Sequence, residues 1–74
     1  MTLYIVIDRS LIDYSEADAK VFKTLESARY YAIKKVKEYE EYLKAEHFRE
    51  TLMTWYINNE DGEWAEVRIE SQEL

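Results

Sequence analysis

Seventy-four residues with one glycine, no proline and no cysteine leave room for a single domain, 1–74, and none for a disulfide or a thiolate metal site. Sixteen acids against ten bases give a net charge of −6, which disfavours nucleic acid as a direct ligand. No run approaches the roughly 20 apolar residues of a membrane span, and the short apolar start at Leu3–Ile7 lacks the basic lead of a signal peptide. A cytoplasmic protein with no membrane partner is the expectation.

The first element is a strand over residues 3–8. Leu3, Ile5 and Ile7 alternate with Tyr4 and Val6, and alternate residues of a strand point to opposite sides of its sheet. The set Leu3, Ile5, Ile7 is expected to meet the core and Tyr4 and Val6 to point outward. From Asp8 to Glu16 the chain is polar and turn-like, with Leu11, Ile12 and Tyr14 embedded in it. Lys20 to Lys23, with Val21 and Phe22, reads as a short second strand or as part of that loop.

A helix follows from Thr24, whose hydroxyl suits an N-cap, with Glu26 placed in the first turn where the helix dipole favours an acid. Leu25, Ala28, Ala32, Val36, Tyr39 and Leu43 recur at helical spacing and form one apolar stripe. Ile33 lies on one shoulder, Tyr31 and Tyr42 on the other, and Tyr30, Lys34, Lys37 and Glu41 point away. Ala28 and Ala32 let the helix approach the sheet closely. No Gly or Asn closes the helix, and its pattern fades between Glu46 and Glu50.

The last two elements read as a hairpin. Met53, Trp55 and Ile57 share an inward face with Ala65, Val67 and Ile69 if Ile57 pairs with Ala65. That register puts Asn59 opposite Glu63 and leaves Glu60-Asp61-Gly62 as a three-residue loop, a type I turn with Gly62 in the left-handed conformation. A two-residue turn would pair Ile57 with Glu66 and mix core and solvent faces. The expected architecture is α+β, a single amphipathic helix on a three- or four-stranded, mainly antiparallel sheet.

One helix covers one sheet face, so Tyr4, Val6, Tyr56 and Trp64 on the other face need a second cover. The candidates are Leu11, Ile12, Tyr14 or Phe22 from the loop, a second copy of the chain, or a partner protein. Charge is also unevenly spread. From Glu60 to Leu74 six acids face one base, a sum of −5, whereas Arg29 to Lys37 holds four bases and no acid. Catalytic patterns are lacking: the serines have no glycine-rich elbow and no phosphate-cradling loop occurs. His47 and Glu50 could share a helix face and hold a metal weakly, but two ligands make no site. An exposed histidine near a fraying helix end is the plainer reading. No cofactor and no enzymatic activity are expected.

The segment Val21 to Ala32 (VFKTLESARYYA), followed by a terminal hairpin with Asn-Glu-Asp-Gly-Glu-Trp, resembles small proteins of phages and mobile elements, among them anti-CRISPR proteins of this size and layout. The resemblance implies inhibition without catalysis, by occluding a nucleic-acid-binding or partner surface of a host complex, in some cases by imitating DNA phosphate charge. It assigns no residue a role. The residues themselves point to a non-enzymatic module that docks an acidic and aromatic face on a basic protein surface. Glu60, Asp61, Glu63, Glu66 and Glu70 would supply the charge, and Tyr4, Tyr56 and Trp64 the apolar contact. A homodimer burying that face, and a regulatory nucleic-acid binder using Arg29–Lys37, are the alternatives.

Overall fold

The structure, a computed structural model, describes residues 1–10, 18–44 and 47–74, without the side chains of Asp18, His47 and Phe48. Its elements in chain order are β1 (Thr2–Ser10), β2 (Asp18–Phe22), α1 (Leu25–Leu43), β3 (His47–Glu50), β4 (Thr54–Asn58) and β5 (Trp64–Glu73). The five strands form one sheet in the order β2-β1-β5-β4-β3, and every pairing is antiparallel. The helix packs across one face of it, an α+β arrangement with one strand more than the sequence suggested.

The helix forms where its signals are. Thr24 is extended and its Oγ1 accepts from the Ser27 N–H at 3.1 Å, which satisfies one of the orphan donors of the first turn. Ala28, Ala32, Val36 and Leu43 are buried against the sheet, with Leu25 and Tyr39 packed at the margin. Ala28 and Ala32 are fully buried, as their small size allows. The helix ends without glycine. Lys44 itself adopts φ 52°, and its N–H returns to the Glu40 carbonyl.

The terminal hairpin has the expected register, with Ile57 opposite Ala65 and Trp55 opposite Val67. Asn59 N–H donates to the Glu63 carbonyl, Gly62 N–H to the Asn59 carbonyl, and Gly62 sits at φ 84°. Left-handed backbone is what only glycine adopts without strain, so the single glycine stands where the loop needs it.

Two expectations are corrected. The first is the facing of β1. Val6 is fully buried and pairs with Ile69, Asp8 with Val67, and Tyr4 packs at the core margin opposite Phe22. Leu3, Ile5 and Ile7 therefore lie on the face away from the helix. Both alternating sets of β1 are apolar, so alternation carries no preference for a side. Asp8 shares the helix side with Val6: it is buried there and accepts from the Tyr39 hydroxyl at 2.7 Å.

The second correction is β3, which occupies His47–Glu50 where a fading helix was expected; His47 is a strand residue opposite Asn58. The turn into β4 has neither glycine nor proline. Thr51 closes it instead: its N–H donates to the Thr54 carbonyl at 2.8 Å, and its Oγ1 accepts from the Thr54 N–H at 3.1 Å. Trp55 Nε1 then donates to Glu50 Oε1 at 2.9 Å, joining β3 to the core.

Candidate protein-binding face

Strand parity builds the face opposite the helix one rung at a time. Arg49, Tyr56, Glu66 and Arg9 form one rung across β3, β4, β5 and β1. Thr54, Arg68, Ile7 and Ala19 form the next, and Glu70, Ile5 and Val21 another. Its β1–β2 side is thus apolar, with Leu3, Ile5 and Ile7 half-buried and Val21 57% exposed. Its β4–β5 side carries the aromatic and charged groups.

Tyr56 and Trp64 stack, with ring centroids 6.1 Å apart and an interplanar angle of 18°. The Arg9 guanidinium lies 5.7 Å from the Trp64 ring, a cation–π contact that adds to the stack. Tyr56 remains 38% exposed, so the stack offers a rigid aromatic edge to whatever meets it.

The charge on this face differs from expectation. Glu66 is bound by Arg9 at 3.2 Å and lies 3.8 Å from Arg68, which in turn holds Glu70 at 3.2 Å. Among the described side chains at these positions, Arg9, Arg49 and Arg68 stand against Glu66 and Glu70, a sum of +1 on a chain of −6. Glu66 and Glu70 are members of a ladder of alternating sign, not free carboxylates. Tyr4 leaves the proposed set altogether, since it lies on the helix side. Phe22 is on that side too, 5.3 Å from the Tyr31 ring, and does not cover the open face. The proposed cover by Leu11, Ile12 and Tyr14 falls outside the described residues.

Of the acidic residues, Glu60 and Asp61 are exposed on the hairpin loop beside the stack, while Glu63 is half-buried. The residue that organises them is Asn59, which sequence reasoning passed over. Its Oδ1 accepts from the Asp61 and Glu63 N–H groups, and its Nδ2 donates to Glu63 Oε1 and to the Leu43 carbonyl, all at 3.0 Å. Asn59 thereby shapes the loop and ties it to the end of α1, capping a carbonyl that the helix leaves unpaired. An asparagine two residues before an acid-glycine pair was the available signal.

The basic stretch of α1 is partly engaged. Arg29 donates to the Leu52 carbonyl and lies 5.5 Å from the Trp55 ring. Lys35 pairs with Glu38 at 3.5 Å. Burial works against the charge on Lys35, but Tyr31, Glu38 and Asp8 outweigh it and hold its ammonium above the ordinary lysine range. Lys34 and Lys37 are exposed.

Among the described residues these features define an α+β domain with one sheet face covered by the helix and the other open, and no helix is long and apolar enough to cross a membrane. Comparison with protein-family models, curated proteins and solved structures gives no match, so no relative supports the resemblance to phage proteins.

Proposed function

We propose that the protein is a non-catalytic binding module that docks its open sheet face, centred on Tyr56 and Trp64, on another protein. The observation that carries this reading is the stacked, half-exposed aromatic pair set between an apolar strip and a self-neutralised charge ladder. The carboxylates of this face keep their arginine partners when water leaves, which offsets part of the desolvation cost that unpaired carboxylates would bear in full. Glu60, Asp61 and Glu63 at its margin suit a partner with a basic rim, and that rim charge would steer approach. Inhibition of a nucleic-acid-handling complex by occlusion is compatible with this arrangement. Imitation of DNA draws little support from the paired Glu66 and Glu70.

A homodimer through the same face is the second reading. The ladder Glu66-Arg68-Glu70 alternates in sign, so a twofold axis passing between the Glu66 and Arg68 rungs sets these two charges against each other across the interface and leaves Glu70 facing Trp64.

Side-by-side capture with immobilised wild type, Trp64→Ala and Tyr42→Ala, read by mass spectrometry, tests the module reading. Retention of a partner should fall at least about tenfold for Trp64→Ala, corresponding to roughly 1.4 kcal/mol, and persist for Tyr42→Ala on the helix. Equal retention by all three would refute it. Loss of a concentration-dependent dimer in sedimentation of Trp64→Ala would favour the second reading.

A further inference from the structure

At the β2 edge of the sheet two independent features meet. The sheet ends there: β2 pairs with β1 on one side, and among the described residues no backbone partner lies on the other. Between this edge and the first turns of α1 runs a groove of about 390 Å³ lined by Phe22, Glu26, Ser27, Tyr30, Tyr31 and Lys34. Phe22 and Tyr31 meet within it, ring centroids 5.3 Å apart, and Tyr30 is 77% exposed. On the opposite side of the same strand Val21 is 57% exposed. The edge thus offers backbone groups, an apolar contact on each side and a recess on the helix side.

The charges define what fits. Lys20, exposed and 5.0 Å from the Tyr31 ring, points to the helix side of β2, Lys34 lines the groove, and Lys23 follows the strand; Glu26 and Asp18, the first residue of the strand, are the opposing acids, which leaves one positive charge in excess. This is a basic edge on an acidic chain. A second copy is a poor occupant, because it would bring two such edges together, and a lysine in an edge strand is a common guard against self-pairing.

We infer that the outer edge of β2 receives an extended acidic peptide as a sixth strand, one apolar side chain entering the groove and flanking carboxylates meeting Lys20 and Lys34. Alternation in the added strand sets the pattern: residues on the helix side are acidic, aromatic, acidic, and those between them are β-branched and lie beside Val21. The site uses the sheet edge and the helix side, so it does not depend on the role of the open face.

The test is an amide-detected NMR titration of the full chain with the peptide Thr-Glu-Val-Phe-Val-Glu-Thr. Saturable shifts are expected in Asp18–Phe22 and in the first half of α1. Replacing both glutamates of the peptide by lysine should weaken binding at least about tenfold, and the surface variant Lys20→Glu/Lys34→Glu should reverse that preference. N-methylation of alternate peptide bonds should abolish binding. The inference is overturned by no saturable shift at concentrations on the order of millimolar, by equal affinity for both charge forms, by retained binding of the methylated peptide, or by shifts confined to β3 or the open face.

Discussion

Asp8 is a buried charged side chain on the helix side of β1, and the Tyr39 hydroxyl at 2.7 Å makes its position tolerable. A buried carboxylate that loses a donor keeps its desolvation cost, offset here in part by the more distant Lys35 ammonium. Tyr39→Phe should therefore destabilise the domain by about 1–3 kcal/mol in urea unfolding. Asp8→Asn, which removes the charge but keeps an acceptor, should lessen the effect of a second Tyr39→Phe change, since the two groups act together. Additive effects would mean that the pair is not coupled. Gly62 presents the opposite case. A Cβ there would meet nothing within 4 Å, so the whole cost of a side chain lies in the backbone at φ +84°. Gly62→Val should cost roughly 1–2 kcal/mol, and Gly62→Asn clearly less, because asparagine tolerates the left-handed region. A stable Gly62→Val protein would show that the loop can adopt another turn.

At the scale of elements, α1 is held by a stripe whose centre is Val36, 4% exposed in the core. Val36→Asp places an unpaired charge there and should abolish the cooperative thermal transition; a melt within a few degrees of wild type would show that another face packs. This helix was legible because Thr24 marks its start and the stripe keeps one angular position for nineteen residues. The terminal hairpin was legible because Glu66 and Arg68 alternate with Ala65, Val67 and Ile69, which leaves one consistent register. β1 was not, because Val6 and Ile5 are equally apolar and the group that holds Asp8 on the helix side, the Tyr39 hydroxyl, is 31 residues away. β3 was hidden by its length of four residues and by a turn closed through Thr51. Of the candidate site, Tyr56 and Trp64 followed from hairpin parity. Arg9, which completes the stack and neutralises Glu66, depended on the facing of β1 and could not be placed without it.

The whole molecule is a two-layer slab, 42 × 23 × 15 Å, one helix over one sheet. Among the described residues such a slab has one interior and one uncovered face, and the two differ in chemistry. The interior is apolar around Trp55, Ile57, Val6 and Val67. The open face mixes apolar side chains with a charge ladder summing to +1, whereas the remainder of the chain carries −7. A protein approaching the open face meets little of the repulsion that the net charge would suggest, and the acidic loop at its margin gives direction to the encounter.

The central claim is that β4 and β5 turn Trp55 inward and Trp64 to the open face, and urea unfolding of Trp55→Ala and Trp64→Ala measures it most directly. Trp55 is 1% exposed in the core, and its truncation should cost about 3–5 kcal/mol. Trp64→Ala should lose its stack with Tyr56 and its contact with Arg9, on the order of 1–2 kcal/mol together, and keep a cooperative transition. If Trp64→Ala instead unfolds the domain while Trp55→Ala leaves it intact, the sheet faces are inverted and the face bearing Trp64 is the core.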